Sequence, residues 1–350
     1  MNNKSWPYWS AFVKERKDGR MTITEVANEL GVSVSTVSRA LNGKGRIGED
    51  TRQKIITYVR QQKINQEVVE SPTKTGNLGV ILPDDVYIAN EPYFQECIIG
   101  VCETAAILNY DVLITTAKAN DITGIRTWVE KKKVDGIILT RSMEDDKAIQ
   151  YLKEQDFLIG LTGGSDYEGI IQVDIDNEDA AETLTSFLIG EGYRKFAFIT
   201  ETLDYTANKK RYMGFCNALQ KNGIEKSKQV IYTNFLSVDA IDSVIHDLMV
   251  QKVECIICGD DVICTKIMLN LQAGGYRIPK DIAVASLYNS PNLNCFTPSI
   301  TTVNISAKRI GNTICKQMIH YLTGKNYEEK TKIDYEILVR KSTKSFRKEK

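Results

Sequence analysis

Between Leu78 and Leu287, short apolar strands alternate with amphipathic helices, and this rhythm constrains the fold more than any other feature of the chain. Leu78–Leu82 reads as a strand, Tyr93–Leu108 as a helix, and Val112–Ile114 as a strand. Ile122–Lys132 then reads as a helix, Gly136–Leu139 as a strand, Asp146–Gln155 as a helix, and Phe157–Leu161 and Ile170–Val173 as strands. A second series follows, with helices at Asp179–Glu191, Lys210–Asn222, Val238–Gln251 and Val262–Ala273. Its strands are Phe196–Ile199, Gln229–Tyr232, Glu254–Cys258 and Ile282–Leu287. Alternation at this spacing means βαβ units and parallel sheets with helices on both faces. Two consecutive series predict two α/β lobes with a cleft between them, and ligands in such sheets sit beyond the carboxyl ends of the strands.

The segment before this body has a different texture. Met21–Gly43 reads as two short helices joined by a glycine turn. Thr22 can cap the first helix, with Glu25 completing a capping box. Val26, Ala27 and Leu30 form its buried face, and Gly31 suits the left-handed residue that ends a helix. Ser33 can cap the second helix, whose Val37, Ala40 and Leu41 point inward. Its other face offers Val34, Ser35, Ser38, Arg39 and Asn42, the layout of a helix-turn-helix whose second helix enters the DNA major groove. Asp50–Gln61 reads as a third helix closing this small core through Ile55, Ile56 and Val59. Lys63–Asn77 reads as a linker.

The wording is more specific than the geometry. Val32-Ser33-x-x-Thr36-Val37-Ser38-Arg39-x-Leu41-Asn42 closely resembles the DNA-binding headpiece of the lactose/galactose repressor family of bacterial regulators. The resemblance implies that Val34, Ser35 and Arg39 read bases, Arg39 through guanine O6 and N7. It also implies that Thr22, Thr36, Ser38 and Asn42 hold phosphates. A generic helical hairpin is the bland alternative, but several polar positions match as well as the apolar ones. Val134-Asp-Gly-Ile-Ile138, Asp176-Asn177, Gly192-Tyr-Arg194, Arg211-x-x-Gly214-Phe215, Ile278-Pro279 and Pro298–Val303 resemble later landmarks of that family, in order.

That resemblance implies an α/β body like the periplasmic sugar-binding proteins, attached to a three-helix headpiece. Residues 1–20 would be an extension, 21–62 the headpiece, 63–77 a linker, 78–342 the effector-binding and dimerisation body, and 343–350 a tail. Lobe one would hold 78–174 and 304–325, and lobe two 175–300 and 330–342. Met1–Arg20 matches nothing in the family. It reads either as a basic-aromatic arm or, preferred here, as an over-long gene start, because residues 14–20 can all be encoded by purine-rich codons.

Composition adds support. The whole chain balances 45 basic against 45 acidic residues, whereas residues 1–65 carry 12 basic and 6 acidic, leaving 33 and 39 for the remainder. A basic head on an acidic body suits a DNA-binding module joined to something that avoids DNA. Uneven solvated surfaces would give the same split. No signal-peptide pattern or membrane-length apolar run is visible, which predicts a cytoplasmic protein. The eight cysteines mostly lie in apolar segments and read as reduced thiols. Cys255-Ile-Ile-Cys258 has metal-pair spacing but sits in a strand with no second pair, so packing is the better reading.

By the same resemblance, the effector pocket would use Tyr93 and Phe94 as stacking rings, Arg211 as a hydrogen-bonding fork and Phe235 as an apolar wall. Asp260 stands where the family usually has Asn, with Asp261 beside it. Plain core aromatics and a structural ion pair remain the alternatives for these positions. Two departures stand out. Tyr288 lies in Ser286-Leu-Tyr-Asn289 where relatives carry a ligand-binding carboxylate, which points away from the commonest sugars toward a modified, acidic or more aromatic effector. In the hinge, Gln62–Lys74 has no leucine to wedge the minor groove, and only Val68 or Val69 remains for that role.

Enzyme chemistry lacks material. His246 and His320 stand alone in separate helices, and no phosphate loop or nucleophile elbow is present. Gly43–Gly48 matches a dinucleotide fingerprint but follows a helix rather than a strand. The expected protein is therefore a homodimeric repressor that binds palindromic double-stranded operator DNA under control of a small-molecule effector, without cofactor, metal or membrane. The rival is an effector-independent regulator with a degenerate ligand site.

Overall fold

The computed structural model describes residues 23–41, 47–61, 74–84, 92–233 and 241–344. The chain forms two compact units, residues 1–74 and 75–350. In the first, α1 (Ile23–Leu30), α2 (Val34–Leu41) and α3 (Glu49–Gln61) enclose a core of Ile23, Val26, Ala27, Val37, Ala40 and Ile55. Gly31 takes φ +64°, and the amide of Val32 returns to the carbonyl of Ala27 at 3.0 Å, closing the first helix. Leu41, expected inside, is 36% exposed. It falls at the end of α2, where α3 contributes Ile55 and Val59 to the core instead.

In the second unit, the first lobe begins with β1 (Asn77–Pro83), α4 (Pro92–Ile107), β2 (Asp111–Ala117) and α5 (Thr123–Glu130). It continues with β3 (Gly136–Leu139), α6 (Lys147–Glu154), β4 (Ile159–Thr162) and β5 (Ile171–Asp174). The second lobe holds α7 (Asn177–Gly190), β6 (Phe196–Ile199), α8 (Thr206–Lys221), β7 (Val230–Tyr232), α9 (Ile241–Val250) and β8 (Cys255–Cys258). Then come α10 (Asp261–Ala273), β9 (Ala283–Ser286), β10 (Thr301–Asn304), α11 (Ala307–Leu322), β11 (Lys330–Lys332) and β12 (Glu336–Leu338). The sheets run β11-β5-β4-β3-β1-β2 and β12-β10-β9-β8-β6-β7, parallel throughout except for the β10–β12 pair. The near-continuous apolar strands Ile137–Leu139 and Phe196–Ile199 are fully buried, as sheets covered by helices on both faces require.

The lobe boundaries differ from the sequence expectation. Thr301–Asn304 belongs to the second sheet through β9, and the chain returns to the first lobe only afterwards. Lys330–Lys332 pairs with β5 in the first sheet rather than in lobe two. β12 then joins the second sheet. The exchanged strands are only three or four residues long, and Thr301–Asn304 and Lys330–Lys332 are mostly polar, so their apolar pattern carried too little information to assign them.

Two helix pairs rest on glycine. A Cβ on Gly100 would lie 2.2 Å from the carbonyl oxygen of Lys308, and one on Gly311 would lie 2.0 Å from that of Cys97, so α4 and α11 touch backbone to backbone. A Cβ on Gly214 would lie 2.1 Å from the carbonyl oxygen of Glu178, which brings α8 equally close to α7. The second approach matters for the site, because Arg211 lies one turn before Gly214 on the same helix.

Candidate functional site

On α2, Ser33 acts as the N-cap, its Oγ accepting from the amide of Thr36 at 3.2 Å. The same hydroxyl meets Ser35 Oγ and Thr36 Oγ1, each at 2.8 Å. Val37 and Ala40 face the core, which leaves Val34, Ser35 and Arg39 exposed and Thr36 and Ser38 half-buried. Val34 is 41% exposed, an open apolar side chain on a helix that also presents the hydroxyls of Ser35, Thr36 and Ser38 and the guanidinium of Arg39. Thr22 and Asn42, the other two expected DNA contacts, lie outside the described residues, as do Val68 and Val69 of the linker.

In the second unit, five of the six expected effector residues line one cavity: Tyr93, Phe94, Arg211, Asp260 and Tyr288. The sixth, Phe235, lies outside the described residues. The cavity encloses about 780 Å³, its solvent-open part included. It lies where the carboxyl ends of both sheets meet: Thr140 follows β3, Thr162 ends β4, Asp174 ends β5, Glu201 follows β6, and Asp260 follows β8.

The aromatic wall is built edge to face. Tyr93 meets Phe94 at 5.3 Å between centroids and 88°, and Tyr288 at 5.8 Å and 80°. Such edge-to-face pairs fix ring orientation. Burial, with the neighbouring Cys97 thiol adding to it against the Thr162 hydroxyl, pushes the Tyr93 phenol well up. The Arg141 guanidinium lies 3.7 Å from the Tyr205 ring centroid and 5.9 Å from that of Phe94.

Arg211 is held from two sides. Its Nε donates to Asn177 Oδ1 at 3.0 Å, and its Nη1 donates to the carbonyl of Gly259 at 2.8 Å. Asn177 stands at the first position of α7 and donates to Asp174 at 3.0 Å. Asp174 also accepts from the amides of Gly164 at 2.7 Å and Ile175 at 2.8 Å. Burial raises its carboxyl, against those amides and the nearby Lys210 and Arg211. Asp260 caps α10 by accepting from the amide of Ile263 at 2.8 Å. Asp261 is 1% exposed, and burial first, with the neighbouring Asp260 charge adding to it against the Ser290 hydroxyl, pushes its carboxyl up to about 6.

One side of the cleft is laced shut. Met143 and Tyr205 form an antiparallel bridge, and the amide of Thr206 donates to the carbonyl of Ser142 at 3.1 Å. Lys209 pairs with Glu144 just outside. These contacts join the segment after β3 to the start of α8, and so join the two lobes.

Sequence reasoning missed Arg141, Asp174, Asn177, Glu201 and Tyr205. The rule that ligands sit past strand ends points to the first four, since each lies at or within a few residues of a strand terminus. Tyr205 carries no such signal. Tyr288 replaces one carboxylate, yet Asp174, Glu201, Asp260 and Asp261 line the same cavity. The loss expected at that position is therefore not a loss of carboxylates from the site. Among the described residues, no cluster of His, Cys, Asp and Glu is placed to hold a metal ion. No helix among them is long and apolar enough to cross a membrane.

Comparison with known proteins gives these two units a common setting. Residues 22–63 match the bacterial regulatory proteins of the lacI family, and residues 75–343 match the periplasmic binding proteins and sugar binding domain of the LacI family. The chain is similar to the HTH-type transcriptional regulator RegA of Clostridium saccharobutylicum, 27% identical over 92% of this chain and 99% of that protein. In structure it resembles a probable maltose operon transcriptional repressor from Staphylococcus aureus, with TM-score 0.72 and 24% identity over 78% of this chain and 99% of the other. A CelR–cellobiose complex matches with TM-score 0.69 and 24% identity over 92% of this chain and all of the other. With a helix-turn-helix head and a sugar-binding-type body in one chain, the protein belongs to the LacI family: it is a ligand-modulated, DNA-binding transcription regulator, not an enzyme.

Proposed function

We propose that the protein is a cytoplasmic, homodimeric repressor whose operator affinity is set by an uncharged, hydroxyl-rich metabolite in the inter-lobe cavity. The cavity lining carries this reading. It combines aromatic faces with four carboxylates and two guanidiniums, of which Arg141 is stacked between rings and Arg211 is tied to Asn177 and Gly259. Carboxylates accept from hydroxyls in pairs, and aromatic rings cover the apolar faces of a sugar. Four acidic groups also oppose an anionic effector. A neighbour of the same fold was determined with cellobiose, which agrees with a sugar-like class.

Ligand in the cavity bears on both lobes at once, through Tyr93 and Arg141 from one and Arg211 and Asp260 from the other. The lace formed by Met143, Tyr205 and Thr206 gives closure a defined geometry. A difference of 1–3 kcal/mol in affinity between open and closed forms would shift operator occupancy about 5–150-fold. Dimerisation is supported by exposed apolar side chains on the first lobe: Ile99 at 50% and Ile107 at 79% on α4, and Ile114 at 46% on the edge strand β2. Exposed aliphatics on a helix and on the neighbouring terminal strand of a sheet are marks of an interface.

Selection of bound sites from a random DNA library, using residues 21–350, tests the DNA half. An enriched palindrome is expected, with half-sites about one helical turn apart. Titration of sugars into that complex tests the effector half. Operator binding that no hydroxylated metabolite alters would favour an effector-independent regulator.

A further inference from the structure

A second cavity adjoins the first and shares Thr140, Arg141 and Tyr205 with it. It encloses about 500 Å³, its open part included, at the carboxyl ends of β1, β2 and β3. Its walls differ in kind from those of the first. Ile81, Leu82, Ile125, Leu139, Met143 and Ala148 give it aliphatic surface. Its polar lining is Lys118 and Arg141, which can only donate, Asn120, whose Oδ1 accepts from the amide of Lys147 at 3.4 Å, and three groups that already serve the backbone. Asp146 caps α6 by accepting from the amides of Ala148 and Ile149 at 2.8 and 3.2 Å. Asp121 accepts from the amide of Thr123 at 2.9 Å, and Thr140 donates its hydroxyl to the carbonyl of Ile81 at 2.8 Å. A second sugar ring would find few uncommitted acceptors there for its hydroxyl protons, and so would give up water for little in return. An apolar group would instead leave water for aliphatic contact.

We propose that this cavity receives the apolar substituent of an effector whose hydroxylated ring occupies the first cavity, so that the ligand class is a glycoside bearing an aryl or alkyl aglycone. The inference rests on the sugar-like effector reading given above. Arg141 and Tyr205 form the partition that the aglycone passes, with the stacked guanidinium flanking the glycosidic link.

The test uses the full chain and calorimetric titration with methyl and phenyl β-glycosides of glucose, galactose and mannose, and with cellobiose and lactose as two-ring comparators. For the sugar that binds, the phenyl glycoside is expected to bind at least tenfold tighter than the methyl glycoside. Ala148→Phe, which fills the cavity from α6, is expected to reduce that advantage below threefold while leaving the methyl glycoside unchanged. Ala119→Phe, on the exposed loop after β2, gives the same readout without touching packed structure. Equal binding of methyl and phenyl glycosides would overturn the proposal, as would an advantage that survives both variants or a tenfold gain confined to the two-ring sugars. Binding by none of the glycosides would overturn the sugar-like reading itself, and the aglycone site with it.

Discussion

Arg211 donates from Nε to Oδ1 of Asn177 at 3.0 Å, and Asn177 donates from Nδ2 to Oδ1 of Asp174 at 3.0 Å, so one amide aligns a cation and a carboxylate in the same cavity. Asn177 thereby acts as a positioning residue. Replacing it with alanine removes its links to both Arg211 and the Asp174 carboxylate, each link worth about 0.5–1.5 kcal/mol net. Asn177→Ala is expected to weaken effector binding about 10-fold or more while leaving operator affinity without effector unchanged. Calorimetry and a DNA mobility shift check the two halves separately.

Gly214 sets the distance between α8 and α7 on which that chain depends. A methyl group 2.1 Å from the carbonyl oxygen of Glu178 must push the helices apart. Overpacking of this kind costs about 1–3 kcal/mol. Gly214→Ala should lower the midpoint of chemical denaturation and also weaken effector binding, whereas Gly190→Ala, with open space around it, should do neither.

The Arg141–Tyr205 stack belongs to the contact between lobes. At 3.7 Å it lies within cation–π range, about 0.5–2 kcal/mol depending on exposure. Tyr205→Ala is expected to loosen closure and reduce the effector-dependent compaction seen by small-angle scattering, with effector affinity down roughly 2–30-fold. Unchanged compaction would remove Tyr205 from the closing contact.

Asp261 gives the protein a distinctive pH signature. Its carboxyl is raised to about 6 in the folded chain from an ordinary 3.8, so the folded state holds the proton more tightly than the unfolded state. Its contribution is fully present below the unfolded value and is lost as pH rises through about 6. The shift corresponds to about 2–3 kcal/mol. Asp281, held to about 2 by its Arg277 partner, acts in the opposite direction, its contribution being lost as pH falls toward that value. The informative quantity is therefore the difference between wild type and Asp261→Asn. That difference should move by about 2–3 kcal/mol in favour of the variant between pH 4 and pH 7.5 in denaturant titrations.

On α2, Arg39 is exposed beside Val34 and Ser35, with Val37 and Ala40 holding the helix to the headpiece core. Arg39→Ala is expected to lose about 1–3 kcal/mol of discrimination at one base pair of each half-site while thermal unfolding of the body stays unchanged. A retained preference in a repeated site selection would remove Arg39 from base reading. Val37→Ala, by contrast, should unfold the headpiece before it affects specificity.

Much of this was legible from local pattern. Helix faces repeat every few residues, so Val26, Ala27, Val37 and Ala40 declare the headpiece core from neighbours alone. The alternating strands and helices declare two parallel sheets for the same reason. The polar spacing around Arg39 was specific enough to resemble one family, and that resemblance also led to Tyr93, Arg211, Asp260 and Tyr288. Legibility ended where strands became short. Thr301–Asn304 and Lys330–Lys332 are too brief and too polar for periodicity to assign them to a sheet, so the crossings between lobes were misplaced.

The sequence by itself thus determined the class of each unit, the two faces of α2 apart from Leu41 at its end, and the strand ends at which a ligand site must lie, because these follow from side-chain spacing along a regular backbone. Tertiary structure alone decided what the cavity is made of. Asp174, Asn177 and Arg211 come from different elements, and Arg141 and Tyr205 meet only because two lobes close on each other. Their partnership depends on how strands cross and how closely α7 and α8 approach. No periodicity in the chain encodes those distances, since packing sets them between residues remote in sequence.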